Sequence, residues 1–570
     1  MDSDPEDDSL QLLLQKRHDL TEALSRLPYD LIAYLERAAV HTDLGYPDLA
    51  AGDAYRALLL ADEIRDESFE YHEQALEALG LRCVEGLPAI LQGSKDVEPS
   101  RGLEQPAVSI EEDQDTVRTL PRIAHEASIQ CYRRLSISLL LCGCLKSAHD
   151  FCTRGLAIAP DDPDLLFKKD HIRAIARRRL KVDDVDINDL PDQGLVRREI
   201  YPWNGHEPNR FSQETLDFLN GELMAVAPKC EVRATELPTL IEGYGVAEGL
   251  EMATNKQLGL FAKQDVNPGE TLLDEYSVLT VNNRLKESLC DACSTELPPL
   301  ELGSTVVGCP DCEDIMFCDE NCLTRARSYH PSICDKDVDT VARDPDPKET
   351  PNALYLLLLA RSLAMSETQE CHPLALKEIK YIWGDFLPSA ANAVPLSLDA
   401  PPPPIWTLPF SFASNISGPI HILEKMDVDI FASLAEYDLW IFNTLYSKFR
   451  GTASARVNKR DGRVEVAAVH PLWCLANHDC DPNVRWEWGG QMKFWCREKR
   501  VGGATGGIKS GEEILSHYCD IDLKVKDRRE WAEGSLGGWC MCARCRREAE
   551  DEKAFHGHDS EDTSPVDEVD

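Results

Sequence analysis

Residues Ala476 to Trp488 read ANHDCDPNVRWEW. Asn, His and Cys stand almost side by side, and Pro-Asn leads into a Trp-rich strand. The Asn and His suit three chemistries: partners of a nucleophile, ligands of a metal, or a pocket for a reactant that arrives already activated. The rest of the chain has to choose between them.

The 570 residues suffice for two to four domains. With 43% hydrophobic and 28% charged residues, the composition is that of a globular protein. No apolar run reaches the roughly 18 residues that span a bilayer. The start, MDSDPEDDSL, is acidic where a signal peptide needs a basic end and an apolar run. The expected location is the nucleus and/or the cytoplasm, with no membrane. The formal net charge of −40 repels phosphate, so direct nucleic-acid binding is not expected. It suits basic partners such as histone tails or ribosomal proteins, and it also keeps a large protein soluble. The run RAIARRRLK, Arg173 to Lys181, reads either as a nuclear-localisation patch or as a solvated helix face.

An intracellular chain cannot use 21 cysteines as a disulfide frame. Their spacing reads as metal. Cys290, Cys293, Cys309, Cys312, Cys318, Cys322, His330 and Cys334 supply eight ligands in one short region. Zinc takes four tetrahedral sulfur or nitrogen ligands, so eight imply two closed structural sites. Such a segment has little core of its own, and the metals carry its folding. Cys540, Cys542 and Cys545 are one ligand short of a third tetrahedron, which Cys480 of the opening stretch completes. That site would clamp the C-terminal segment beside Asn477 and His478.

With Cys480 used in this way, no nucleophile remains next to a base. The chain also lacks G-x-S-x-G, a P-loop and G-x-G-x-x-G.

Two N-terminal stretches have helical texture with small residues at close-packing positions. One carries Tyr34, Ala38, Gly45, Ala50 and Ala57; the other carries Tyr132, Ser136, Gly143, Ala148 and the terminating Pro160. Each suits two short helices around a tight glycine turn. The glycines are 98 positions apart, close to three periods of about 34 residues. These units resemble tetratricopeptide (TPR) repeats; an ordinary helical bundle is the alternative. Ser94 to Asp115 reads as an acidic inserted loop.

Taken in order, LGLFAKQDVNPGE (Leu258 to Glu270), the paired-cysteine segment, ANHDCDPN, GEEILSHYCD (Gly511 to Asp520) and CMCARC resemble the SET-and-MYND protein-lysine methyltransferases. In that family a MYND zinc finger interrupts a SET domain. The resemblance implies an α+β multidomain protein: a TPR-like helical-repeat arm, a SET-type β-fold interrupted by the finger, and a post-SET zinc site. It places an acidic disordered tail at 1–20, repeats at 21–181, a linker at 182–228 and the first SET part at 229–288. The finger then occupies 289–336 and an intermediate helical region 337–470. The second SET part falls at 471–525, the post-SET segment at 526–547 and an acidic tail at 548–570.

The resemblance also assigns roles. It pairs Cys290 and Cys293 with Cys318 and Cys322, and Cys309 and Cys312 with His330 and Cys334. Asn477 and His478 would hold the amino-acid part of S-adenosylmethionine by side-chain and backbone hydrogen bonds. Gly259, Leu260 and Phe261 would approach the cofactor through unobstructed backbone, and Asn443 in WIFNTLY would add a contact. Trp539, one position from the family's register, would lie over the adenine. Tyr518 would be the catalytic tyrosine.

The implied function is S-adenosylmethionine-dependent methylation of a lysine on a histone or other basic protein, with Zn2+ ions in two finger sites and one post-SET site. The TPR-like and MYND-like modules would take peptide or protein partners. One departure stands out: Gln257 replaces the first glycine of the family's Gly-x-Gly start. The triplet Gly243-Tyr244-Gly245 is out of register and reads as a turn. Gln257 favours an alternative in which the chain is a catalytically silent adaptor or transcriptional co-regulator with the SET fold as scaffold.

Overall fold

The computed structural model describes residues 5–85, 114–238, 254–284, 289–343 apart from 300, 302 and 313, 345–383 apart from 347, 406–536 and 538–558. The triplet Gly243 to Gly245, residues 94–113 of the acidic insert, Pro401 to Pro404, and the tail from 559 lie outside these. Two compact units divide the chain: Met1–Trp203 with Phe386–Ser447, and Asn204–Asp385 with Lys448–Asp570.

The first unit is built on helices α1 (Pro5–Arg26), α2 (Leu31–Asp43), α3 (Pro47–Arg65), α4 (His72–Glu85), α5 (Gln114–Cys142), α6 (Leu145–Ile158) and α7 (Pro163–Leu180). The Asp30 carboxylate caps α2 by accepting from the Ile32 and Ala33 N–H groups. Both glycine turns read from the sequence are present: Gly45 between α2 and α3 at φ +80°, and Gly143 between α5 and α6 at φ +90°. A Cβ at Gly155 would stand 2.8 Å from Tyr132 and Leu165, so its absence lets α6 approach both. The basic run Arg173 to Lys181 is the end of α7. Arg177, Arg178 and Arg179 occupy its last turn, where exposed carbonyls favour cations.

The second stretch of this unit returns from far along the chain. Trp406–Phe410 pairs antiparallel with Gly194–Arg197. Phe412 packs edge-on against Tyr55 and Phe151, and Phe431 edge-on against Tyr34 and Tyr71 and tilted against Tyr29. Fully buried Arg37 holds Asp53 on α3 and reaches Asp438 at 3.1 Å.

The sequence-derived boundaries therefore need correction. The region read as 337–470 divides, because its aromatics and Asp438 complete the helical unit. The supposed linker 182–228 holds the strand Gly194–Arg197 and the helix Gln213–Val226. The N-terminal tail is helical from Pro5, and the helix Ala543–His558 runs past 548.

In the second unit, Cys230–Pro238 pairs with Thr254–Ala262 along its whole length. The opposite edge of Thr254–Ala262 meets residues 511–514: Gly511 N–H donates to Ala262 O, Ala262 N–H to Glu512 O, and Ile514 N–H to Leu260 O. Two further sheets carry the strand orders Val484–Trp488, Met492–Cys496, Thr271–Glu275 and Thr280–Asn282, Val464–Val469, Ala453–Val457. Leu258, Leu260, Leu273, Val484, Phe494 and Ile514 form a shared core, joined by Leu219 and Leu223 of the helix Gln213–Val226. Among the described residues no helix is long and apolar enough to cross a membrane.

Candidate functional site

The opening stretch sits where three segments meet. Asn477 N–H2 donates to Leu258 O at 2.9 Å and to the Glu513 carboxylate at 2.7 Å, while its backbone carbonyl accepts from Ser516 N–H. Asp479 N–H donates to Ser516 O, so His478 lies between two rungs of a short parallel pairing and its own backbone groups face the other way. The strand Thr254–Ala262, the Asn-His pair and the 511–519 segment are thus one hydrogen-bonded assembly. Asn483, which leads into the Trp-rich strand, is buried. Its amide donates to Glu513 O and its side-chain oxygen accepts from Leu515 N–H.

His478 and Tyr518 are adjacent, with ring centroids 5.2 Å apart. Tyr518 N–H donates to His478 Nδ1 at 3.0 Å, which requires the imidazole proton to sit on Nε2. That Nε2–H faces Cys480 Sγ at 3.3 Å. The Tyr518 hydroxyl donates to Ala476 O at 2.9 Å. The His478 ring is therefore engaged by Tyr518 and Cys480, which leaves its backbone groups rather than its side chain for a cofactor.

Burial raises the pKa of Glu513, and its hydrogen bonds from Asn477 and Thr235 partly offset this. Burial lowers that of His517, whose ring stacks on Trp486.

Three four-donor clusters have their ligand atoms within 4.8 Å of one another: Cys290, Cys293, Cys318, Cys322; Cys309, Cys312, His330, Cys334; and Cys480, Cys540, Cys542, Cys545; a three-donor group, His478, Cys480 and Cys519, shares Cys480 with the last. The pairing within the finger is the interleaved one that the family resemblance implies. Sulfurs around tetrahedral zinc, at about 2.3 Å from the ion, stand about 3.8 Å apart. Cys293–Cys318, Cys309–Cys334 and Cys480–Cys540 are each at 3.8 Å. The donor sets fit zinc in type and spacing. Around the third cluster Arg528 approaches Cys545 Sγ at 3.5 Å, Arg529 donates to Cys540 O and Arg544 to Cys480 O. These cations offset the charge of four thiolates. Arg361 from the helix Thr350–Gln369 steadies the finger through Asp291, which also accepts from the Tyr329 hydroxyl.

A SET-domain family model matches residues 257–519, the span that contains this assembly and the finger clusters. The chain contains a SET domain and is similar to SET-and-MYND lysine-methyltransferase-like proteins. It is 25% identical to human N-lysine methyltransferase SMYD2 over 330 residues, 54% of this chain and 62% of that protein. It is 30% identical to the histone-lysine N-methyltransferase SET5 of Yarrowia lipolytica over 106 residues, 18% of this chain and 22% of the relative. A SET and MYND domain-containing protein of Dictyostelium discoideum is 27% identical over 141 residues, 23% of this chain and 25% of the relative. The chain thus matches less than two thirds of the length of each of these relatives.

Other residues of the SET region stand as follows. The Gln257 carboxamide accepts from Arg210, whose guanidinium lies over the Trp383 ring, so this side chain is tethered. Leu260 is in the core, and Phe261 lies under the Arg233 guanidinium at 4.2 Å. Trp539, half-buried, has Arg529 over its ring at 5.4 Å. Asn443 corrects an expectation. It belongs to the first unit, where its buried amide donates to Asp48 and its oxygen accepts from Asn415. The helix Leu439–Phe449 buries nearly every side chain, so a polar residue there serves the core.

Sequence reading passed over Glu513, noticing GEE only as the approach to Tyr518. A carboxylate inside a strand-like run that ends at the site was the signal available.

Proposed function

We propose that this chain is an S-adenosylmethionine-dependent protein-lysine methyltransferase acting on histones or other basic proteins, with one zinc ion in each of the three clusters. The observation that supports this best is the gathering of Asn477, His478 and Tyr518 on two bridged segments inside the matched SET span. S-adenosylmethionine supplies, when bound, a methyl group already activated by its sulfonium. The protein then needs neither a nucleophile nor a strong base.

What the residues have to do is bind and align. Asn477 Oδ1 would accept from the ammonium of the cofactor's amino-acid part, and the His478 backbone would offer further contacts. Trp539 would cover the adenine. Tyr518, its hydroxyl fixed on Ala476 O, orients the incoming amine, because alignment dominates a displacement of this kind. The lysine must arrive neutral although its free pKa is about 10.4, and desolvation disfavours its charged form. The acid excess of the chain draws basic substrates.

The test is transfer of labelled methyl groups from the cofactor to a histone mixture. Tyr518→Phe should lower transfer at least about 100-fold while cofactor binding is retained. A protein that binds the cofactor and labels no basic substrate would favour the adaptor alternative.

A further inference from the structure

The Asn477 carboxamide has only one orientation open to it. Its –NH2 lies between two oxygens, Leu258 O at 2.9 Å and Glu513 Oε1 at 2.7 Å. Neither partner suits a carbonyl oxygen in that place: the first is a carbonyl and the second a carboxyl. Asn477 Oδ1 therefore points the other way, and it has no hydrogen-bond partner among the described residues. An oxygen held in this way can accept from an ammonium but cannot donate to a carboxylate.

Glu513 is itself fixed. Its other oxygen faces Thr235 Oγ1 at 3.4 Å, and its backbone carbonyl accepts from Asn483. A Cβ at Gly259 would stand 2.5 Å from Glu513 Oε1 and 3.1 Å from both Thr235 and Phe261. The space that this glycine leaves is filled by the Glu513 carboxyl.

We propose that Glu513 is a positioning residue for the methyl donor: it fixes the Asn477 amide so that Oδ1 faces the donor's α-ammonium, and Gly259 is glycine to admit Glu513. This rests on the proposed function and assigns two of its residues a task. The orientation itself does not depend on a bound donor, which gives two independent tests.

The first test is calorimetric titration of S-adenosylmethionine into zinc-loaded protein. Glu513→Ala should weaken binding at least about 10-fold, the loss expected for a hydrogen bond to a charged partner. Glu513→Gln can still accept from Asn477 and donate to Thr235, and should stay within about 3-fold of wild type. Gly259→Ala should reproduce the alanine defect, and the double variant should be no worse than either single, because all three act through Asn477. Unchanged binding by folded Glu513→Ala, or equal losses for the Gln and Ala variants, would overturn the proposal.

The second test is thermal unfolding without cofactor. Asn477→Asp places a carboxyl against Leu258 O and Glu513 and should lower the unfolding midpoint. Adding Glu513→Gln, whose –NH2 can turn toward the new carboxylate, should restore part of it. No recovery would overturn the orientation. If the wild type binds no S-adenosylmethionine at all, the functional reading fails, and the recovery experiment still decides the Asn477–Glu513 relationship.

Discussion

The backbone N–H of Tyr518 donates to His478 Nδ1, and the same imidazole turns its Nε2–H to Cys480 Sγ at 3.3 Å. One ring thus couples the proposed catalytic tyrosine to the third cysteine cluster. Loss of that cluster should disturb the tyrosine as well as the C-terminal segment. Cys480→Ser is expected to lower bound zinc by one equivalent per chain, read by elemental analysis, and to weaken S-adenosylmethionine binding by about 10-fold or more. Unchanged zinc content would remove Cys480 from the ligand set.

Gln257 takes the place of a glycine in the family's start motif, yet its side chain is held by Arg210. Gln257→Gly should leave cofactor affinity within about 2-fold and should not raise turnover. A gain of 10-fold or more in affinity would show that the glutamine obstructs the site and would favour the adaptor reading.

In the helical unit Arg37 is fully buried between Asp53 and Asp438. Removing one member of a buried ionic group strands the others. Arg37→Ala is expected to cost about 3–5 kcal/mol of stability, measured by denaturant unfolding. A cost below about 1 kcal/mol would mean that solvent reaches the two aspartates.

Glu275 is buried against the Leu472 and Trp473 N–H groups, and burial raises its pKa from 4.5 to about 7. The folded chain holds this proton more tightly than the unfolded one, so its contribution is fully present below pH 4.5 and lost as the pH rises through 7. Relative to Glu275→Gln, the wild type should lose on the order of 2 kcal/mol between pH 5.5 and 8. Parallel pH profiles for the two proteins would contradict a raised pKa at this position.

The cysteine clusters are the most legible part of the sequence. Ligand type and spacing limit which cysteines can share an ion, and Cys480 was found because three cysteines needed a fourth. The glycine turns at Gly45 and Gly143 were equally open to reading, since both adopt a backbone that favours glycine. What stayed hidden depended on long-range packing. Nothing local says that Asp438 would meet Arg37, or that Asn443 would turn to Asp48 in the core of the other unit. Gly259 shows the same limit: the carboxyl that a Cβ there would meet at 2.5 Å belongs to Glu513, about 250 residues further on.

The most direct measurement is calorimetric titration of S-adenosylmethionine into the zinc-loaded 570-residue chain, with Asn477→Ala as control. Micromolar binding that the substitution weakens at least 10-fold is the expected result. A folded protein with all three clusters metallated that shows no heat of binding would contradict the methyltransferase account at its centre.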